Sequence, residues 1–485
     1  MEIKIERIDW IFFFLCFLMG IMAEEAFFRY QIGISYFLFI AVFYALFFWR
    51  FRTFSFSHQR FGYLILIVIW LLAASYYLYD TALFYALNIL LIPALVIFHL
   101  ALITSPKKIE WSSIYFISYT LLRLIDGIRY SALFTKYTVN LTRRGSTEKQ
   151  NDIWKKVLIG VAISFPFLFV ILNLLMSADT QFERLLSSIP GLFNINGEYV
   201  FRLVIILIYT FSFFGFLQVL FRKNIHIIQK EGLFKPFGVD GIIALTVLLL
   251  LDVVYVIFVA VQFKYFFSGT LDEGFTYAEY ARRGFFELLF VTLINLTVIT
   301  GVINFTKKIQ GMLKKTINSA LTILILSSGV LLTSAFMRLT MYEDAYGFTL
   351  TRVLAHSFMI FLMVIFAYTL VKIWIERLSL IRFYFIAALI YYAGINIANI
   401  DRIVVDQNMA RFDTTGKIDI QYLNSLSSTG IMGLIELYER NPDVQGLETL
   451  LMQRKEEREH VKSRSWQSHN LARDSAYEML GELDF

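Results

Sequence analysis

The chain has 485 residues, 58% of them hydrophobic and only 17% charged, with a mean hydropathy of +0.63. Those values, with fifty phenylalanines against six prolines, exclude an ordinary water-soluble fold and call for long, little-interrupted apolar helices. The net charge of +6 is not a nucleic-acid signal, because the basic residues lie between apolar segments and no basic-aromatic surface accompanies them.

Crossing the hydrocarbon takes roughly 20 apolar residues, and about eleven segments qualify. They are Ile8–Ala23, Ile32–Trp49, Gly62–Tyr79, Thr81–Ile103, Ile153–Met176, Tyr199–Phe221, Val239–Ser268, Gly284–Phe305, Thr316–Met337, Phe348–Val371 and Ile381–Ile400. The first lacks the basic start and small-residue cleavage site of a signal peptide, so it reads as a retained helix. The expected fold is all-α, a polytopic membrane helix bundle. Its regions are N-terminal membrane helices over 1–105, a cytoplasmic or interfacial amphipathic segment over 106–152, a core bundle over 153–400 and an extracytoplasmic helical region with a charged tail over 401–485.

Lys and Arg concentrate in alternate loops, among them Arg50, Arg52, Lys107, Lys108, Arg222, Lys314, Lys372 and Arg377. The opposite loops hold only Arg29, Arg184, Arg282, Arg283 and Arg338. By the positive-inside rule the N-terminus faces the cytoplasm and everything after Ile400 lies outside. The protein is thus expected in the cell membrane as a multi-pass protein, with the lipid bilayer as its first partner.

Trp111–Thr135 is apolar enough to suggest another span, yet Arg123, Asp126 and Arg129 recur at three-residue spacing. That pattern predicts a helix lying in the membrane surface, and counting it as a span would break the charge alternation. Beyond Asp401, apolar residues at helical spacing predict two or three short helices, with Asn441-Pro442-Asp443 starting one of them. The stretch from Lys455 reads as a solvated helix or a loose tail.

Chemistry is scarce in this sequence. Cys16 is the one cysteine, the six histidines form no metal-ligand spacing, and no nucleotide loop or nucleophile turn occurs. No metal, no cofactor and no enzymatic activity are therefore expected. Asp252 is the exception, a lone acid among leucines and valines about 20 Å into its span at 1.5 Å per residue. It is either a proton or cation site, or a structural carboxylate bonded to Asn88, Asn173 or Asn295.

The outer ends of the later spans collect Arg282, Arg283, Glu287, Arg338, Arg352 and His356. If those helices converge, they form an outer-facing polar vestibule with Asp252 at its floor, and its arginines suit carboxylate or phosphate groups. The plainer alternative is a set of interfacial ion pairs holding loops. Glu24 and Glu25 sit on an outer loop too short for a usual catalytic pocket, and read as a solvated pair.

Several stretches resemble one known family. They are SADTQFERLL after the fifth span, TYAEYARRGFFELL entering the eighth, LTMYEDAYGFTLTRV entering the tenth, and NIDRIVVDQNMARF with IDIQYLNSLSSTGI beyond the last. Over roughly Asp152 to Tyr438 they resemble a bacterial membrane family of unknown function, numbered four-one-seven-three, whose relative is four-one-five-three. The resemblance implies a multi-pass inner-membrane protein with a soluble C-terminal part. It carries no assigned activity, so it transfers no catalytic residue.

Three functions remain open from the sequence. The first is transport or permeation of a small ion or anion through the vestibule. The second is a non-enzymatic sensor, receptor or assembly partner, with a protein partner at the outer C-terminal region. The third, more distant, is an enzyme acting on a lipid-linked substrate at the outer leaflet.

Overall fold

The computed structural model describes residues 5–142, 197–222, 238–265, 285–306, 310–460 and 465–484, with the single positions 160, 164, 171, 175 and 182. The described secondary structure is helical apart from one isolated bridge, Val239 to Thr306, closed by a 2.8 Å bond from the Val239 amide to the Phe305 carbonyl. In chain order come α1 (Arg7–Phe27), α2 (Ile34–Arg50), α3 (Gln59–Leu78), α4 (Ala82–Thr104) and α5 (Ile114–Thr142). Next are α6 (Gly197–Phe221), α7 (Gly241–Tyr265), α8 (Phe285–Phe305), α9 (Met312–Tyr346), α10 (Leu350–Trp374) and α11 (Leu380–Ile397). Five shorter helices follow, α12 (Ile400–Thr415), α13 (Ile420–Ser425), α14 (Ser428–Arg440), α15 (Leu447–His460) and α16 (Leu471–Glu482).

Among the described residues, nine helices are long and apolar enough to cross a membrane, namely α1, α3, α4 and α6 to α11. This marks the chain as a helical membrane protein. The second apolar segment is the 17-residue helix α2, and the fifth, Ile153–Met176, falls outside the described residues apart from single helical positions. Many large apolar side chains stay exposed, such as Leu90 at 75% and Ile128 at 73%, as expected where acyl chains replace water.

The chain divides into two compact units. The first comprises Met1–Tyr63, Val96–His226 and Ser465–Ser468. Within it α1 and α6 run antiparallel along their length, with Phe13 against Phe214, Gly20 against Ile206 and Thr210, and Phe28 against Phe201. A Cβ at Gly20 would sit 2.6 Å from the Ile206 carbonyl oxygen, so only glycine admits this approach. α5 meets α6 at Gly127 and Gly215, and Ser131 there donates to the Phe211 carbonyl at 2.7 Å.

α5 differs from its sequence reading in one respect. Phe116, Tyr119, Arg123, Gly127, Tyr130, Ser131 and Phe134 form one buried stripe, so Arg123 faces inward instead of joining a charged outer face. Arg123 lies over the Tyr119 ring at 4.9 Å, while Asp126 pairs with the exposed Arg129. The exposed side carries Ile117, Leu121, Leu122, Ile125 and Ile128.

The second unit comprises Leu64–Leu95, Ile227–Arg464 and His469–Phe485. Its centre is α9, which packs against α7, α8 and α10 through Leu321, Leu324, Leu331, Leu332 and Ala335. At 35 residues α9 is about 52 Å long, well beyond a hydrocarbon core of about 30 Å, so its ends reach past the apolar layer.

The C-terminal region is more ordered than its sequence promised. Helices α12 to α16 share a core of Val405, Met409, Leu434, Leu437, Leu451, Ala476 and Leu480. The stretch expected to form two or three short helices holds three, α13 to α15, and α16 returns to this core where a solvated helix or a loose tail was expected. Asn441-Pro442-Asp443 caps the end of α14 and turns, and α15 starts only after Gly446, whose φ of 82° breaks the chain direction.

Candidate functional site

Two buried polar assemblies stand out, one in each unit. The one containing the sequence candidates lies in the second unit, on α7, α8, α9 and α10. α7 turns Leu249, Leu250, Val253, Val254 and Ile257 outward, which leaves Leu245, Leu248, Asp252, Tyr255 and Gln262 on the packed face. Asp252 is 5% exposed, and neither carboxylate oxygen has a hydrogen-bond partner among the described residues.

One turn along from Asp252, the Tyr255 hydroxyl approaches Asn295 of α8. Asn295 donates to the Ser328 hydroxyl of α9 at 2.9 Å. Farther along α7, the Gln262 side-chain carbonyl accepts from Ser334 at 3.0 Å and meets the Arg338 guanidinium at 3.5 Å. Nearer the end of α9, Glu343 is 2% exposed and its Oε2 lies 3.0 Å from His356 Nδ1 on α10. The second histidine nitrogen faces the Phe336 carbonyl at 3.3 Å and the Thr340 hydroxyl at 3.4 Å. Thr340 already spends its proton on that same carbonyl, at 3.1 Å. Both imidazole nitrogens therefore face acceptors.

Arg352 has a different task. Its guanidinium donates to the Gly347 carbonyl and lies 4.1 Å over the Tyr342 ring, clamping the α9–α10 turn. Gly347 at φ 83° makes that turn. Asn408 of α12 bonds both backbone groups of Phe348, accepting from its amide at 3.1 Å and donating to its carbonyl at 2.8 Å. Arg411 donates to the Asp344 and Ala345 carbonyls, and the Leu350 amide donates to the Tyr422 hydroxyl at 2.7 Å. Three of the stretches that carry the family resemblance, around YEDAYGFT, DQNMARF and IQYLNS, thus form one local assembly.

Of the sequence candidates, Arg338 joins Gln262, His356 joins Glu343, and Arg352 holds a turn. Glu287 is exposed in the first turn of α8. Arg282 and Arg283 lie outside the described residues, as does Asn173. Asn88, considered as a partner for Asp252, instead donates to Asn396 and accepts from the Tyr392 hydroxyl, each at 2.7 Å. Nearby, Asp401 accepts from Thr81 and Ser427, and Asp80 accepts from the Ser428 backbone and hydroxyl. Glu343 was missed, although its place three residues before the end of α9 faces His356 across a helical hairpin.

The second assembly, in the first unit, was not anticipated at all. Asp9, in the first turn of α1, is 1% exposed and receives four donors. Its Oδ1 accepts from Arg50 at 3.0 Å and Gln218 at 2.7 Å, and its Oδ2 from Arg222 at 2.6 Å and the Glu6 amide at 3.0 Å. The partners come from residues 41 and 213 positions away, a separation that leaves no local pattern to read. In the same unit Glu24 is buried against Arg202 at 3.5 Å, which corrects the solvated reading for that residue, while the half-exposed Glu25 pairs with Arg29 and Gln467.

No curated protein and no solved structure matches this chain. A family model does match, over residues 66–437, beginning well before the motif resemblance that starts near residue 152. The match falls on the relative, four-one-five-three, of the two family numbers the motifs pointed to. Its span takes in α7 to α11, the α9–α10 turn and the α12–α14 segment that holds it. The chain belongs to the family described as Domain of unknown function (DUF4153).

Proposed function

We propose that this is a multi-pass cell-membrane protein that moves a small ion or anion across the bilayer, with Asp252 as the group that carries a proton or cation. The N-terminus faces the cytoplasm, about eleven segments cross, and the region after Ile400 lies outside, in keeping with the charge bias of the loops. One observation carries the transport reading: a carboxyl buried in the middle of α7 without a donor among the described residues. An uncompensated charge there costs several kcal/mol on general grounds, so such a carboxyl is stable with a proton or a cation on it. The polar row Tyr255, Asn295, Ser328, Gln262, Ser334 and Arg338, continued by Glu343 and His356, gives it neighbours toward the outer end of the unit.

The test is flux in proteoliposomes. Asp252→Asn keeps the shape and removes the titratable oxygen, and the expected result is loss of proton-dependent flux with the fold retained. Flux unchanged by that substitution removes Asp252 from the mechanism.

A second reading rests on a separate observation, the grip of α12 and α13 on the α9–α10 turn through Asn408, Arg411 and Tyr422. In it the outer region binds a partner and passes that event to Glu343 and His356. Asn408→Ala then uncouples partner binding from any change at the turn, read by hydrogen exchange across residues 340–356. Identical exchange changes in wild type and variant sink this reading.

A further inference from the structure

The Asp9 cluster borders an open cavity of about 460 Å³ in the first unit, lined by Glu6, Asp9, Trp49, Arg50, Arg52 and Arg222 among others. Three guanidinium groups face two carboxylates, and one of the two, Asp9, is saturated by its four donors. Arg50 is 7% exposed and its Nε is shut off from solvent with no acceptor among the described residues, so this guanidinium backs the cavity as a positive charge that Asp9 only partly offsets. The Phe221 ring stacks on that guanidinium at 3.9 Å and fixes its plane. Arg222, held by Asp9 through a single Nη2, spends no other N–H group on a hydrogen bond among the described residues. Arg52 is exposed at the rim and forms no ion pair among the described residues.

Arginines fixed in place by a shared carboxylate, with N–H groups to spare and a cavity in front, match the geometry of a tetrahedral oxyanion. We infer that this cavity binds a phosphate group, as the headgroup of an anionic phospholipid or as the free ion. The walls favour binding from the lipid side as readily as from water, since Trp49 is 41% exposed and Ile8 37%. Trp beside Arg at the end of an apolar helix is a headgroup-level arrangement. The inference is independent of the transport reading, because it concerns other residues and its readout is binding.

The experiment follows thermal unfolding of the purified full-length protein in a neutral detergent. One arm titrates phosphatidylglycerol with phosphatidylcholine as control, and the other titrates inorganic phosphate with chloride at equal ionic strength. Phosphatidylglycerol is expected to raise the midpoint, and Arg52→Gln and Arg222→Gln each to raise the half-saturating concentration roughly tenfold. Lys107→Gln, an exposed basic residue elsewhere in the unit, is expected to behave as wild type. Stabilisation by the lipid alone identifies a headgroup site, and stabilisation by inorganic phosphate as well identifies a site for the ion itself. No stabilisation by either, or equal stabilisation in the two cavity variants and wild type, overturns the inference. Arg52 makes no buried pair, so its variant keeps the test decisive if Arg222→Gln fails to fold.

Discussion

At the scale of single residues, the contact of the half-buried His356 with the buried Glu343 is the sharpest case. Removing one partner leaves a buried polar group unsatisfied, which typically costs about 1–3 kcal/mol. His356→Ala is therefore expected to lower the unfolding midpoint strongly, and Glu343→Gln combined with His356→Ala to cost less than the two single changes summed. Strict additivity in that cycle, measured by thermal unfolding in detergent, shows that the two do not interact. Tyr422 offers a pH-dependent case outside the spans. Burial raises its phenol above the ordinary tyrosine value, and the nearby Leu350 amide pulls the other way. The neutral phenol is thus favoured in the fold, so its contribution is intact at neutral pH and is lost only as pH rises through the raised value. Asp252 was legible in the sequence because charge inside an apolar run is conspicuous. Its surroundings were not, because Asn88 and Asn295 turned out to be committed to Asn396 and Ser328.

At the scale of helices, packing in the first unit depends on glycines that let backbones touch. A Cβ at Gly215 would lie 2.3 Å from the Gly127 carbonyl oxygen, and one at Gly20 would meet the backbone of α6. Neither clash can be relieved by a side chain swinging away. Gly20→Val and Gly215→Val are expected to destabilise by about 1–3 kcal/mol each through overpacking. Gly329→Ala on α9, where an added Cβ meets nothing within 4 Å, is expected to be neutral or slightly stabilising. Equal effects at all three positions, compared by thermal unfolding, would falsify this account of the α1–α6 and α5–α6 contacts. The sequence showed that α5 exists as a helix but misread its faces. Three-residue spacing of charges defines a line along a helix, yet which side of that line is buried depends on the neighbour that packs there. Here the face of α5 that meets α6 at Gly127 also holds the buried Arg123, and Ile125 and Ile128 stay outside.

At the scale of the whole molecule, the charge alternation of the loops makes a testable statement about sidedness. In a Cys16→Ser chain, which has no other cysteine, Lys417→Cys is expected to react with a membrane-impermeant maleimide in intact cells. Lys107→Cys is expected to react only after lysis. The reverse pattern inverts the orientation, and reaction of both from outside breaks the alternation between them. The family match over residues 66–437 runs from the third helix into the C-terminal helical region, so membrane helices and that region belong to one module. Their shared contacts in the second unit give the physical reason, since Asp80, Thr81 and Asn88 bond to Ser428, Asp401 and Asn396.

Composition and apolar segment length by themselves determined the class of this protein and the positions of its long helices, because a bilayer demands unbroken apolar runs of a set length. They also singled out Asp252, because water-free surroundings make a lone acid conspicuous. Only the tertiary structure decided which polar groups meet. Asp9 with Arg50 and Arg222, Glu343 with His356, and Asn408 with Phe348 are each joined by helix packing across positions that no periodicity links. Buried polar groups need partners, but any of several neighbours can serve, and the choice is made by which helices come to lie side by side.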